Sequence, residues 1–457
     1  MNKGILNQTK KQYPFLYQRE ISIFLVVVDY ILFRLFFINS LFPQNSIINN
    51  IIFPLIWIVS NYIFSQYISL KKYNSRNLIK KIIFSQLANI ISFIIIFLNI
   101  TLIISFNNFS FLYGINFFCY SIIFSLISCF CRLLIIYFTN KINKKILVFG
   151  FWGTNEKFEI IKSLYLRYIN FKVEFKLINN ENFNFMIDKV DKILIPIDFK
   201  FEKELEKINY TKREEINNKF IDLTSWSSFF LQRYPYIIIE KDKKILHDLN
   251  LIQKKLSYKL KIFIEFIISL FLIILFTPII LFFGIIIKLE DGGPIFYTQK
   301  RTGLNGKIFD IYKLRTMKID SEKGKAMWSY IGDNRITKIG QFLRKSRFDE
   351  LPQLLCVLKG DMSLIGPRPE RPEFDEMLSK EIKIYNARNF LKPGISGWSQ
   401  VSYPYGASVR DAEIKLSFDI YYIKNFSLIF DLLIFFKTIR LVLRLENSQP
   451  RKKNEDI

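Results

Sequence analysis

Four apolar segments, near 21–42, 50–70, 82–106 and 111–139, occupy the first third of this chain. Each reaches the roughly 20 residues that a helix needs to cross the hydrocarbon core of a bilayer, so the fold must be built around a membrane. The connecting loops are asymmetric. Lys3, Lys10, Lys11 and Arg19 precede the first segment, Lys71, Lys72, Arg76, Lys80 and Lys81 separate the second from the third, and Lys141, Lys144 and Lys145 follow the fourth. The other two loops carry no Lys or Arg. By the positive-inside rule, residues 1–20 form a cytoplasmic tail, and 21–140 form a four-helix transmembrane bundle with both ends in the cytoplasm. Asp29, Arg34 and Arg132 lie inside these spans, where charge is costly, and are expected to face the bundle interior or snorkel to an interface. Lining a lipid or glycan path and pairing as structural glue are the two readings of them.

The net charge of +25 would suit a nucleic-acid protein, but such a protein would not carry long uncharged Ile/Phe runs, and no nucleic-acid partner is expected. Compositional bias of a genome is the alternative reading of the Ile, Asn, Lys and Phe abundance, so the charge total alone carries little weight. The single histidine, His247, sits in a polar linker, which argues against a His base or a His metal cluster. Cys119, Cys129, Cys131 and Cys356 lack the paired spacing of a zinc site. Acid–base or nucleophilic work therefore falls to carboxylates.

Residues 141–245 alternate short β-rich runs, such as Ile146-Leu147-Val148-Phe149, Ile193-Leu194-Ile195-Pro196-Ile197 and Tyr236-Ile237-Ile238-Ile239, with helical ones, which predicts a small α/β domain. The first run leads into Gly150-Phe151-Trp152-Gly153-Thr154, where a dinucleotide fold would carry G-x-G-x-x-G. Trp152 stands in place of the second glycine and would obstruct a pyrophosphate, so a degenerate, non-catalytic Rossmann-like domain is predicted.

The remainder, 246–457, opens with Lys254, Lys255, Lys259 and Lys261, an apolar run over 262–287, and Lys288. Basic residues flank that run on both sides, and a straight crossing would put one of the neighbouring soluble regions outside. Thr277-Pro278 in its middle offers a break that lets the helix enter and return on one side, against the alternative of a kinked span. Downstream, 293–315 reads as two strands around a Gly/Asn turn, and alternation puts Lys313 and Arg315 on one face, suited to a diphosphate. A helix with apolar positions 351, 354, 355 and 358 follows, with Asp349 as its expected cap and Gly360 just past its end. Arg344 and Arg347 lie within a turn of the Asp349-Glu350 pair. The loop Gly366-Pro367-Arg368-Pro369-Glu370-Arg371-Pro372 holds its arginines through proline stiffness, and a fixed arginine recognises phosphate oxygens.

These motifs, with Tyr312-Lys313-Leu314-Arg315-Thr316-Met317, Asp349-Glu350-Leu351-Pro352-Gln353-Leu354, Lys359-Gly360-Asp361-Met362-Ser363 and Lys392-Pro393-Gly394-Ile395-Ser396-Gly397-Trp398, resemble in order the monotopic phosphoglycosyl transferases, also called bacterial sugar transferases. The resemblance covers about 250–445. The upstream spans and α/β domain resemble the long-form polyprenyl glycosylphosphotransferases of exopolysaccharide and capsule pathways. The fold implied is a transmembrane bundle, a Rossmann-like domain and a mixed α+β transferase domain with a re-entrant helix at 262–287, broken at Thr277-Pro278. The implied reaction moves a hexose 1-phosphate from a UDP-sugar, glucose or galactose by default, to undecaprenyl phosphate at a bacterial inner membrane. Asp349 would be the nucleophile that carries the sugar phosphate, Glu350 would bind Mg2+, and Lys313, Arg315, Arg344 and Arg368 would clamp phosphate oxygens. The sequence departs from the family at the 402–408 loop, Ser402-Tyr403-Pro404-Tyr405-Gly406-Ala407-Ser408, and leaves room for a homo-oligomer. The rival functions are a nucleotide-sugar oxidoreductase, for which the glycine fingerprint is missing, and a scaffold for a polysaccharide assembly complex. The stretch from Phe418 to Leu445 suits either helices on the membrane surface or helices packed on the catalytic core.

Overall fold

The computed structural model describes residues 252–319, 333–404 and 408–443 together with 20–34, 52–63, 111–142, 147–152, 173–178, 189–195 and 219–240, and single positions between them. The chain divides into two compact units, one chiefly of residues 16–147 and one chiefly of residues 148–457.

In the first unit, α1 (Glu20–Phe33), α2 (Phe53–Ile63) and α3 (Phe111–Ile142) coincide with parts of the first, second and fourth apolar segments, α1 starting one residue before its segment and α3 ending three residues beyond its own. The third segment is described only at positions between 82 and 96, and the charged loop 71–81 lies outside the described residues. The interior is aromatic: Trp57 meets Phe124 at 4.7 Å and Phe93 at 5.0 Å, and Phe33 meets Phe124 edge-on at 5.6 Å. The outside is apolar too, with Phe24, Leu55, Ile122, Leu126 and Phe130 exposed. Asp29 and Arg132 are buried and paired at 3.7 Å. Ser128 Oγ donates to Asp29 at 2.7 Å, and Arg132 also donates to Asn61 Oδ1 and to Ser128 O. Of the two readings, the contacts are those of structural pairing. Arg34 is exposed.

In the second unit, β1 (Leu147–Trp152), β2 (Val173–Ile178), β3 (Lys192–Ile195) and β4 (Phe220–Asp222) form one sheet in the order β2-β1-β3-β4, with β1–β3 and β3–β4 parallel. A Cβ on Gly150 would sit 2.1 Å from Ile178 Cδ1, and Trp152 packs on the Ile178, Val190, Ile193 cluster. The fingerprint positions are thus used for strand packing. After the short α4 (Leu223–Trp226), capped by Asp222 through Ser225 N, the chain turns at Gln232 (φ 53°). The run Tyr236–Ile239, expected as a strand, is instead a helical turn, α5. Its amide hydrogen bonds are local, from Ile238 and Ile239 to Pro235 O and from Glu240 to Tyr236 O. A four-residue apolar run cannot distinguish the two periods, and Pro235 is pre-set for a helix start.

The longest element is α6 (Leu256–Asp291), 36 residues with Pro278 inside. Among the described residues it is the one helix long and apolar enough to cross a membrane. Thr277 Oγ1 donates to Ile273 O at 2.6 Å, beside the bond that proline deletes. One face, including Phe263, Phe271, Ile274, Leu281 and Phe282, is exposed, while Ile280 and Ile287 join Leu314 and Leu343 in the core.

The hairpin predicted over 293–315 is present: β5 (Phe296–Thr302) and β6 (Ile308–Leu314) pair antiparallel around a turn with Asn305 at φ 52°. Then come α7 (Lys338–Ser346), a 3-10 turn (Phe348–Gln353), α8 (Leu354–Leu358), β7 (Ser363–Ile365), α9 (Pro372–Glu381), β8 (Gly394–Ser396) and α10 (Trp398–Ser402). The order closes with α11 (Val409–Lys424) and α12 (Leu428–Leu443). Of the alternatives for the C-terminal stretch, the described contacts show packing on the core, to different extents in the two helices. α11 is core, buried from Leu416 to Ile423, whereas α12 buries Phe430 and Ile434 and exposes Ile429, Leu432 and Leu443. Residues 231–240 belong with this core: Tyr234 N donates to Ser417 O at 3.0 Å, and Trp398 Nε1 to Gln232 O at 2.9 Å.

Candidate active site

The expected helix over 351–358 is split. Pro352 lies in the 3-10 turn, and the change of pitch turns Leu355 outward while Leu354, Cys356 and Val357 point inward. Asp349 is not the helix cap. That place falls to Arg347, at φ 62° with no side-chain cap bond, and Asp349 and Glu350 occupy the first turn, both buried. Gly360 follows the helix at φ 83°, as expected of a residue past its end. Phe348 and Leu351, on either side of the acidic pair, pack on the Ile280, Ile287, Leu314 and Leu343 cluster, which fixes the turn against the end of β6.

Glu350 collects the cations. Lys313 Nζ reaches its Oε1 at 3.0 Å, Arg368 Nη2 reaches the same oxygen at 2.8 Å, and Arg347 Nη1 stands 3.8 Å from Oε2. Burial opposes its charge, but Arg368, Lys313 and Arg347 outweigh burial and hold its carboxyl well below the usual range. Burial lowers Lys313, against the pull of Glu350. Asp349 goes the other way. Burial, and then the neighbouring Glu350, raise it to about 6, partly countered by Lys313, Arg347 and Arg344. Asp349 is 8% exposed, and its Oδ1 is buried with no hydrogen-bond partner. A carboxylate with an unused oxygen beside three cationic side chains is equipped to meet an incoming electrophilic phosphorus.

Of the expected phosphate clamp, Lys313 and Arg368 meet at Glu350. Arg344 lies one step out, its Nε on Thr316 Oγ1 at 2.9 Å, within electrostatic reach of Asp349. Arg315 is elsewhere. β6 ends at Leu314, so the alternation that would have aligned Arg315 with Lys313 lapses, and its guanidinium pairs with Asp291 at the end of α6. The Arg368 loop is held as its prolines suggested: Gly366 N donates to Ser396 O and Gly394 N to Pro367 O, each at 2.8 Å, and Arg388 Nη2 donates to Arg368 O at 2.5 Å. Arg388 is buried against Asp419 (3.2 Å) and Glu370 (3.7 Å), and Arg301 donates to Pro369 O at 3.2 Å. Spacing in the sequence does not single out Arg301, Arg388 or Asp419, because the contacts that tie each to the 368–370 loop or to one another span 18 residues or more.

Among the described residues no three His, Cys, Asp or Glu side chains converge as a metal cage. The acidic pair still fits a hard cation of the kind that takes one or two carboxylates and completes its shell with substrate phosphates and water.

The model of the bacterial sugar transferase family matches residues 256–445. The uncharacterized sugar transferase EpsL of Bacillus subtilis is 40% identical over 186 residues, which is 40% of this chain and 86% of that protein. The chain belongs to the bacterial sugar transferase family. Within it, the UDP-N-acetylgalactosamine-undecaprenyl-phosphate N-acetylgalactosaminephosphotransferase of Aeromonas hydrophila is 50% identical over 169 residues, 37% of this chain and 40% of the relative. The undecaprenyl-phosphate galactose phosphotransferase of Salmonella typhimurium is 33% identical over 264 residues, 54% of each chain. The chain thus matches about half or less of the length of these two relatives. The family match begins at the first residue of α6 and takes in every member of the Glu350 cluster.

Proposed function

We propose that this sugar transferase moves a sugar 1-phosphate from a UDP-sugar to undecaprenyl phosphate through a covalent intermediate on Asp349. The observation that carries the reading is the buried Asp349 carboxylate with its unpartnered Oδ1, next to a Glu350 neutralised by Lys313, Arg368 and Arg347. An Asp349 oxygen attacks the phosphorus that bears the sugar, the bond from that phosphorus to the bridging oxygen breaks, and UMP leaves with the electron pair. A phosphate oxygen of undecaprenyl phosphate then attacks the same phosphorus and releases the Asp349 carboxylate. No proton transfer is required above the pKa of Asp349. Lys313, Arg347 and Arg368 stabilise the charge on the equatorial oxygens, and Arg344 adds to that field. Glu350, with Asp349 beside it, would hold a magnesium ion, which when bound neutralises the diphosphate of the donor.

The sugar we favour is N-acetylgalactosamine, on the 50% identity to the Aeromonas protein that bears that name, with glucose and galactose as the alternatives raised by other relatives. α6 is proposed to enter and leave the membrane on the cytoplasmic side. Support comes from its two ends, which both grip the same α/β body, Lys261 at Ile365 O and Asp291 at Arg315. The upstream helices are proposed to anchor the chain as a multi-pass protein of the bacterial inner membrane. The β1–β4 sheet is proposed as a non-catalytic Rossmann-like domain, in keeping with the packing roles of Gly150 and Trp152.

The test is UMP release from UDP-N-acetylgalactosamine, UDP-glucose and UDP-galactose by the full chain in detergent with undecaprenyl phosphate and magnesium. Release that depends on carrier and is lost in Asp349→Asn is expected. Equal release by Asp349→Asn would sink the mechanism, and no release from folded wild type would sink the activity.

A further inference from the structure

α6 is an apolar helix whose first turns carry three charges, of which Lys259 is exposed while Lys261 and Glu265 do not face water. Lys261 is 2% exposed and Glu265 is 7% exposed, four residues apart and therefore on one face. An ion pair of this kind is costly to bury, and an apolar pair of equal volume would anchor the helix as well or better. The reason for charge lies in what the pair touches. β7 is one strand of a two-stranded sheet, and Gly366 N, just past it, is satisfied by Ser396 O on the β8 side. The N–H and C=O of Ile365 bond away from β8, at an edge where no third strand runs among the described residues. Glu265 Oε1 accepts from Ile365 N at 3.1 Å, and Lys261 Nζ donates to Ile365 O at 2.8 Å. Ser363 Oγ donates to the other Glu265 oxygen. One helix face thus supplies the acceptor and the donor that a neighbouring strand would have supplied.

The pair is itself held in register. Lys261 and Glu265 Oε1 are 2.9 Å apart, Asp431 Oδ2 on α12 takes a second Lys261 bond at 2.8 Å, and Tyr422 donates to Asp431 Oδ1 at 2.7 Å. Three residues beyond Ile365 comes Arg368, whose guanidinium is 2.8 Å from Glu350.

On this basis, and resting on the function proposed above, we infer that Lys261 and Glu265 are positioning residues for catalysis. They act as a substitute strand edge that sets the start of the 366–372 loop and so aims Arg368 at the donor phosphates. The seating of the membrane helix and the shape of the phosphate clamp are then one structural variable. An anchoring role alone predicts something different, because an anchor that fails lowers the amount of folded protein without altering the turnover of what remains.

The inference is tested with the full chain in detergent, in two measurements. Amide hydrogen exchange is compared in wild type, Glu265→Gln and Lys261→Met. Faster exchange over 363–371, on the order of tenfold, with the β5–β6 hairpin unchanged is expected. Unchanged exchange over 363–371, or equal acceleration in the hairpin, overturns the inference, and this readout does not depend on the reaction assigned. UMP release is then measured in a double-mutant cycle of Glu265→Gln with Arg368→Ala. Glu265→Gln alone should lower kcat about 10- to 100-fold with KM for the donor within about threefold, and should cost little further in the Arg368→Ala background. Additive losses would overturn the link to Arg368. If Glu265→Gln does not fold, Lys261→Met carries the same cycle with the same expectation. Local loosening in the variants, together with a wild type that turns over no UDP-sugar, would leave the strand-edge role standing and remove the function proposed above.

Discussion

Two buried aspartates, one in each unit of the molecule, differ in how completely they are satisfied. Asp29 in the helical unit accepts from Ser128 and faces Arg132, whose own contacts extend to Asn61 and Ser128 O. Asp349 in the transferase unit lies beside cations that its neighbour Glu350 has already engaged, and keeps one oxygen unpartnered. Both are charges withdrawn from water. The first is compensated inside the protein and reads as glue; the second is left under-compensated, which raises its proton affinity and leaves it able to form a bond. Between these two carboxylates the difference lies in pairing rather than in burial, and it is the less completely paired one that the proposed mechanism uses.

The sharpest way to break that contrast is Asp349→Asn. UMP release should fall by on the order of 10⁴-fold or more, as for loss of a covalent nucleophile. The folded pKa of about 6 lies above the value of an unfolded aspartate, so the proton is held more tightly when folded, and stability is lost as pH rises from about 4 to about 6. Asn removes that penalty, so the thermal midpoint in detergent at pH 7.5 should rise, by an amount equivalent to on the order of 2 kcal/mol. A fall in the midpoint would mean that Asp349 is structural after all. Arg132→Met should do the converse. It leaves Asp29 buried without its cation and should cost about 3–5 kcal/mol of stability, while kcat per folded molecule stays within about twofold. Arg368→Ala removes one donor to the developing charge and should lower kcat about 10²- to 10³-fold. The smallest effect concerns pH. In wild type, kcat/KM should rise about tenfold per unit up to about pH 6 and then level, as Asp349 loses its proton. Lys313→Met removes a cation that lowers Asp349 and should move that limb upward by about one unit; a limb that stays in place would detach it from Asp349.

Much of this was legible from residue order, and the exceptions share a cause. The apolar segments, the hairpin around Asn305 and the proline-held Arg368 loop are local features, fixed by periodicity, turn chemistry and stiff backbone. The misreadings arose where a short stretch depended on what it packed against. Tyr236–Ile239 is helical because it follows Pro235 and docks beside α11. Asp349 resembles a cap in sequence, but the 3-10 turn starts earlier, at an Arg347 with positive φ. Arg315 sits one residue beyond the strand, where its partner is Asp291, 24 residues earlier in the chain. The roles of Arg301, Arg388 and Asp419 depend on contacts across long separations, which no spacing rule encodes. Lys261 and Glu265 did leave a trace, as two charges at helical spacing inside an apolar run, although flanking charge was the simpler explanation.

The docking of residues 231–240 on α11 bears on how modular the enzyme is. Arg233 lies over Phe418 at 5.6 Å, Tyr234 meets Tyr421 at 5.6 Å, and Gln232 O accepts the indole N–H of Trp398. A polypeptide cut at the apparent boundary near 245 would strip those partners away and leave an aromatic wound on the transferase half. A transplant or fusion that keeps these contacts therefore begins upstream of Gln232 and carries the tail of the preceding domain with the catalytic half.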